Sequence, residues 1–250
     1  MLSFHPQIRR TSLAAALAVG VALSSVGEAQ SFQAQPRTSS TEPVEDNRIG
    51  KIVYANPSTL PDGTKLPPVP VCTASHLGNG QWITAEHCLR DFSSFHGYIE
   101  QSDGERAQVT KTEAIGKETD IALLQTGPGI EADSFTLASE PARPGDTLFL
   151  LGFADNHPYS SLAVVKVQQL LSKVKIDRYS YRNVYRTTSA SKARSCSGDS
   201  GGPVFSGEVL FAVHTAGEKN VDCTDKVGAS MWHSDISNIN SEIIQRMKHS

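Results

Sequence analysis

From Lys51 onward, apolar and β-branched residues fall in short runs separated by Gly, Pro, Asn and Asp. That is the pattern of strands joined by tight turns. The runs Gln81–Ala85, Gln108–Thr112, Ile121–Gln125, Thr147–Phe153, Leu162–Leu171, Tyr181–Thr188 and Val204–His214 are predicted as strands, with turn signals at Leu77-Gly78-Asn79-Gly80 and Arg143-Pro144-Gly145-Asp146. A convincing helical period appears at the end of the chain. There Ile236, Ile239, Ile243, Ile244 and Met247 share one face behind Ser234 or Asp235 as the cap. Many short strands and one terminal amphipathic helix predict an all-β barrel or sandwich. No internal repeat of fixed period interrupts the pattern.

The first 48 residues do not follow it. Arg9-Arg10 precede an uncharged, mostly apolar run from Leu13 to Val26, and the small residues Gly27 and Ala29 flank Glu28 after it. This predicts a secretory signal peptide over residues 1–29, with a signal anchor as the alternative. The paired arginines match the twin-arginine export pattern poorly. Residues 30–48 are rich in Ser, Thr, Gln, Pro and acidic side chains. They hold too little apolar surface to order themselves, so they read as a propeptide or flexible linker. Residues 49–250 remain for one folded domain, a size that suits two barrels acting as a unit.

Charge and cysteine usage narrow the classes. The net charge of −3 and the absence of basic runs argue against nucleic acid or an anionic membrane as partner. All four cysteines follow the signal segment, and their even number suits disulfides in an extracellular or periplasmic compartment. Four cysteines allow three connectivities, and counting alone leaves them open. Their spacings match no zinc site, and neither a metal nor an organic cofactor is expected.

The chemistry concentrates in three motifs. Gly198-Asp199-Ser200-Gly201-Gly202-Pro203 exposes a serine between glycines that let a substrate carbonyl approach the backbone closely. Upstream stand Trp82-Ile83-Thr84-Ala85-Glu86-His87-Cys88 and Asp120-Ile121-Ala122-Leu123-Leu124. A serine alcohol is nearly inert until a base takes its proton, which an imidazole does near neutral pH. Ser200 is thus the candidate nucleophile and His87 the candidate base and acid. An aspartate leading into an apolar run is costly to bury without a charge-assisted partner. The chain order His, Asp, Ser separates this set from lipases and esterases, which place the serine in a Gly-x-Ser-x-Gly elbow ahead of the histidine.

From about Ile49 to its C-terminus the chain resembles the trypsin/chymotrypsin-like serine proteases, with shorter spacings from His87 to Asp120 and from Asp120 to Ser200 than the animal digestive enzymes have. The resemblance implies two six-stranded antiparallel β-barrels with the active site between them and a C-terminal α-helix. It implies that Asp120 orients His87, and that the N–H groups of Gly198 and Ser200 form the oxyanion hole. It pairs Cys72 with Cys88 and Cys196 with Cys223. Partners would be protein or peptide substrates and proteinaceous inhibitors, with the protein itself a monomer. The alternative is a catalytically silent homologue that binds partners through the same fold, although all three triad members and the oxyanion glycine are retained.

The resemblance also places a specificity pocket. Six residues before the nucleophile, where trypsin has the aspartate that selects Lys and Arg, this chain has Arg194. Ungapped counting puts the pocket wall on His214-Thr215-Ala216-Gly217, which resembles the corresponding stretch of glutamyl endopeptidases. Thr215 then takes the place of a serine that supports the catalytic aspartate, and Gly217 that of a glycine that pairs with substrate backbone. Arg194 and His214 together favour a carboxylate, so cleavage after Glu or Asp is expected. Asp199 occupies the position that binds a new N-terminal ammonium on activation. Cleavage at Arg48-Ile49 is the first candidate for that event and Lys51-Ile52 the second.

Overall fold

The computed structural model describes residues 43–55, 58, 60–90, 94–193, 195–218 and 227–248. The signal-peptide segment and residues 30–42 lie outside the described residues. All described residues belong to the compact unit Ala34–Ser250.

Seven elements form the first half: β1 (Ile49–Tyr54), β2 (Val69–Gly78), β3 (Gln81–Thr84), the single-turn α1 (His87–Arg90), β4 (Gly97–Glu100), β5 (Arg106–Ala114) and β6 (Ala122–Thr126). The strands close into a barrel in the order β1-β2-β3-β6-β5-β4. Closure is tight where side chains are missing. A Cβ on Gly50 would lie 2.4 Å from Ile99 Cγ2, so β1 and β4 meet at a glycine. Ile52, Ile83, Ile99 and Leu124 fill the interior with no exposed surface.

The second half holds β7 (Thr136–Leu137), β8 (Thr147–Gly152), β9 (Ser161–Ile176), β10 (Tyr179–Ser189), β11 (Pro203–Ser206), β12 (Val209–Gly217) and β13 (Ser230–Asp235), followed by α2 (Asn240–Lys248). Six of these strands run in the order β11-β8-β9-β10-β13-β12, and pairing of β11 with β12 closes the ring. The two-residue β7 adds to β12 in parallel. The protein is therefore all-β, with two closed six-stranded antiparallel barrels and a C-terminal helix, as the resemblance implied.

Several boundaries differ from the sequence pattern for identifiable reasons. The run Val204–His214 is two strands, because Gly207 takes φ +59° and folds the chain into a hairpin. β9 and β10 extend past the predicted Leu171 and Tyr181 to a turn at Asp177 (φ +53°), and their polar, alternating outer ends carry no continuous apolar run. At the C-terminus neither Ser234 nor Asp235 is the N-cap: Ile236 holds that position before a 3-10 turn at Ser237–Ile239, while the Asp235 carboxylate accepts from Ser237 N (3.2 Å), Ser237 Oγ (2.9 Å) and Asn238 Nδ2 (2.6 Å). Ser234 instead meets Thr215. Ile243 is buried, whereas Ile244 is 40% exposed and off the apolar face. Among the described residues, no helix is long and apolar enough to cross a membrane.

Asp235 has a second task. Tyr185, fully buried in the second barrel, donates its hydroxyl proton to Asp235 Oδ1 (2.9 Å) and accepts from Ala142 N (2.8 Å). Burial and the adjacent carboxylate raise the phenol far above its usual range, so it remains a donor. Replacing Tyr185 by Phe strands the buried Ala142 N–H and removes one of the two donors to Asp235 Oδ1. The expected loss is about 1–3 kcal/mol of unfolding free energy, read by denaturant titration. An unchanged midpoint would remove this contact from the second barrel's stabilising set.

Candidate active site

The turn after β3 carries His87 into α1, and the Cys72–Cys88 disulfide ties that turn back to β2. Asp120 has no exposed surface and stands just before β6. Its Oδ1 accepts from His87 N (2.9 Å), and its Oδ2 lies 2.7 Å from His87 Nδ1. An ionised carboxylate only accepts, so Nδ1 carries the proton and Nε2 is left with its lone pair. A buried Asp is thus held by two N–H groups of one residue, and the ring is fixed in one tautomer.

Ser200 belongs to the other barrel, at the turn before β11, and Thr73 holds that turn in place. Thr73 N donates to Ser200 O (2.8 Å), and Thr73 Oγ1 donates to Gly198 O (2.7 Å) while accepting from Phe153 N (3.2 Å). Thr84 Oγ1 in turn donates to Thr73 O (2.7 Å). Gly201 (φ +83°) lies so close that a Cβ would be 2.1 Å from Thr84 Oγ1 and 3.0 Å from Ala85 N. The serine turn therefore seats on the end of β3 that leads directly into His87. Thr73 was not singled out from the sequence, because its partners lie far away along the chain.

Gly198 adopts φ +94°, and a Cβ there would meet Phe153 O at 2.3 Å. Ser197 O accepts from Asp155 N at 2.6 Å. In the trans peptide this turns the Gly198 N–H to the opposite side, away from the 153–156 turn. The expected oxyanion donors, Gly198 N–H and Ser200 N–H, thus sit on a loop braced from two sides.

The predicted pocket residues behave differently from one another. His214 is buried: its backbone N donates to Gly202 O (2.9 Å) and its O accepts from Gly201 N (2.8 Å), so the residue is tied to the serine turn. Its Nδ1 lies 3.0 Å from His233 Nδ1, and His233 Nε2 lies 2.7 Å from Thr187 Oγ1. Burial, then the neighbouring His233 and His87, hold His214 well below the usual imidazole range, and burial drives His233 down to about 3. Both rings are neutral at working pH. Thr215 Oγ1 is paired with Ser234 Oγ (3.0 Å) of the neighbouring strand β13. A Cβ on Gly217 would lie 2.1 Å from Ser195 Oγ, which adds Ser195 to the same wall. Arg194 lies outside the described residues. His233 and Ser195 were missed from sequence; β-pairing of His214 with His233 across β12 and β13 is a tertiary fact.

Asp199 is buried beside Gly152 and accepts from Cys196 N (2.8 Å). Loss of solvent, partly offset by that N–H and reinforced by Asp155, pushes its carboxyl up to about 7. Among the described residues no cation pairs with it. Ile49 stands elsewhere, in β1 opposite Ser75 and 1% exposed. The preceding Arg48 is bonded to Asp46 and stacked 4.1 Å over Phe135, and its carbonyl accepts from His76 N (2.8 Å). Lys51 is likewise in β1, ion-paired with Glu100 (3.1 Å). In the uncut chain Ile49 and the Lys51-Ile52 bond therefore lie in β1, in the wall of the first barrel.

The Cys72–Cys88 bond matches the expected pairing. Cys196 is also disulfide-bonded, and Cys223, its expected partner, lies outside the described residues. Among the described residues, the cluster with metal-ligand proximity is Cys72, His87 and Cys88. Its two sulfurs are bonded to each other, which leaves no thiolates for a metal.

No curated protein matches the chain by sequence. Solved structures share the architecture. Neuropsin, a serine protease expressed in the limbic system of mouse brain, aligns with TM-score 0.62 and 15% identity over 85% of this chain and 100% of that one. The active form of the Rv3671c protease from M. tuberculosis aligns with TM-score 0.59 and 15% identity over 85% and 91%. The HtrA-type protease AlgW with a decapeptide gives TM-score 0.61 and 16% identity over 82% and 65%. At these identities the likeness is one of fold. The family model described as Trypsin matches residues 61–232, most of the length of both barrels, and the chain belongs to the trypsin family of serine proteases.

Proposed function

We propose that the chain is a secreted endopeptidase that cleaves peptide bonds with Ser200, His87 and Asp120, and that it prefers an acidic residue before the cut. The observation that carries the reading is the 2.7 Å contact of His87 Nδ1 with the buried Asp120, on the element against which the Ser200 turn is seated. Ser200 Oγ attacks the scissile carbonyl while His87 Nε2 takes its proton. The resulting oxyanion accepts from Gly198 N–H and Ser200 N–H. The C–N bond then breaks as the imidazolium protonates the leaving amine. Water, deprotonated by the same ring, releases the acyl group from Ser200. A diisopropyl fluorophosphate probe should label Ser200 in the wild type. Ser200→Ala should cut kcat roughly 10⁴- to 10⁶-fold, judged from related triads. A protein that neither takes the label nor cleaves would be a binding homologue.

The neutral His214–His233–Thr187 chain supports the acidic preference. If Thr187 donates to His233 Nε2, His233 Nδ1–H donates to His214 Nδ1, leaving His214 Nε2–H to meet a carboxylate. A bound carboxylate also offsets the cost of charging that ring in a dry pocket. Digestion of a peptide library should therefore show Glu or Asp before the cut. His214→Ala and His233→Phe should each lower kcat/KM for those substrates by about tenfold or more, consistent with loss of one charge-assisted bond. Dominant cleavage after Lys, Arg or large aromatics would overturn the preference.

Asp199 supports activation by a cation that arrives after processing. Until then Asp199 holds its proton up to about pH 7, while in the unfolded chain it ionises near 3.8. The folded state then binds the extra proton, so this residue's contribution to stability declines as pH rises between those values. For the unprocessed protein, the Tm advantage of Asp199→Asn over wild type should grow from pH 4 to pH 7 and vanish after maturation. An advantage that is the same at both pH values, or that survives maturation, would refute the cation model.

A further inference from the structure

The second barrel sends one element across to the residues that hold His87 and Asp120. The β9–β10 hairpin attaches at two places. Arg182 N donates to Glu118 O (2.8 Å), Arg182 Nε meets Glu118 Oε2 (2.5 Å) and Lys173 Nζ meets Glu118 Oε1 (3.4 Å), two residues before Asp120. Nearer its tip, Tyr179 and Tyr181 receive Arg90, the last residue of α1. The guanidinium carbon stacks 3.7 Å from the Tyr179 ring centre, and Nη2 donates to Tyr181 OH (3.3 Å). Glu86 closes the other side of the guanidinium through a paired contact that includes Nε to Oε1 at 3.2 Å. Held in this way, Arg90 Nη2 comes to 4.0 Å from Asp120 Oδ1. That is the oxygen bonded to His87 N–H, opposite the one that faces the ring.

We propose that Arg90 is a positioning residue for the His87–Asp120 pair, locked behind the carboxylate by Tyr179 and Tyr181 of the β9–β10 hairpin. The inference rests on the triad reading above. Thr215, the hydroxyl expected to support Asp120, is paired with Ser234, and the buried carboxylate has the Arg90 guanidinium near its Oδ1. A cation there has two effects. It fixes Oδ1 toward α1 and so keeps Oδ2 aimed at Nδ1. It also places a positive charge behind the carboxylate, which opposes a second positive charge on the imidazole. The groups around the pair are Glu86 from the turn before α1, Arg90 from α1, Tyr179 and Tyr181 from β10 and His214 from β12. His214 is neutral, so Arg90 and its partner Glu86 are the charged neighbours that a substitution would change. Replacing Arg90 by a neutral residue removes a cation and frees a carboxylate, and both changes favour the protonated ring.

Two readouts test this separately from the protease reading. In Ser200→Ala protein, NMR follows the His87 ring with and without Arg90→Gln. In active protein, the acid limb of kcat/KM is followed with the same substitution. Arg90→Gln should move the ring titration and the acid limb upward by about 0.5–1 pH unit and lower kcat about three- to tenfold with KM nearly unchanged. Arg90→Lys should restore the titration but only part of kcat, since it keeps charge without the planar fork. Glu118→Gln loosens the hairpin's other anchor and should leave the titration in place. An unmoved titration in Arg90→Gln, or an equal movement in Glu118→Gln, would overturn the proposal. A wild type without activity or Ser200 labelling would refute the protease reading instead, and the NMR titration would still decide the role of Arg90.

Discussion

Thr73 is the constraint on which the rest of the site depends. It has no exposed surface, it follows the disulfide-bonded Cys72, and its backbone and hydroxyl bind Ser200 O, Gly198 O and Phe153 N. Two barrels joined only by apolar contact could slide by fractions of an ångström at little cost. Hydrogen bonds from one buried residue to both ends of the serine turn remove that freedom, since a buried amide or carbonyl left unpaired costs about 1–3 kcal/mol. The glycine at 201 is the steric counterpart, because any side chain there would collide with Thr84 and push the serine away from His87.

The His87–Asp120 pair is braced from the opposite direction. α1 is one turn long and cannot be rigid by its own hydrogen bonds. Its first residue is tied to Asp120, its second to Cys72, and its last to the β9–β10 hairpin. Thus His87 is located by β2, by the loop before β6 and by a strand of the other barrel. A short, covalently pinned turn fixes a catalytic ring as well as a long helix would, provided that every end is held.

Much of this was legible in the sequence, and the boundary has a physical cause. His87, Asp120 and Ser200 stand in motifs whose neighbours must be small, apolar or left-handed for local reasons, so short windows reveal them. The barrels were legible as a rhythm of strands and turns, although β1, β2, β4 and β13 lack a clean alternation and were not picked out. Val204–His214 was read through Gly207 because a single glycine inside an apolar run does not announce a hairpin. Thr73, Arg90, Ser195 and His233 were missed for a different reason. Each acts through a partner distant in sequence, and a threonine or arginine in isolation carries no sign of what it will face. The setting of Arg48-Ile49 was hidden similarly: it suits a polar segment's end, yet in the uncut chain Arg48 and Ile49 are bonded into the barrel.

The serine turn also carries two opposite electrostatic demands. On one side Asp199 is a buried acid whose carboxyl is pushed up to about 7, and its carbonyl accepts from Gly202 N (2.9 Å). On the other, His214 and His233 are buried bases kept neutral, and Gly202 O accepts from His214 N. Their pH dependences oppose each other. The depressed imidazoles contribute stability that is lost as pH falls below about 6.5, where unfolded histidine binds a proton. The raised carboxyl contributes stability that is lost as pH rises toward 7. Between about pH 6.5, above which the imidazoles are neutral in both states, and pH 7, toward which Asp199 begins to ionise, the turn carries least charge in a dry interior. A cation at Asp199 and a carboxylate beside His214 would then each remove one desolvation penalty from the same short turn. Gly202 is bonded to both residues, so on the proposed reading a cation at Asp199 and a carboxylate at His214 would act on the same short stretch of backbone beside Ser200.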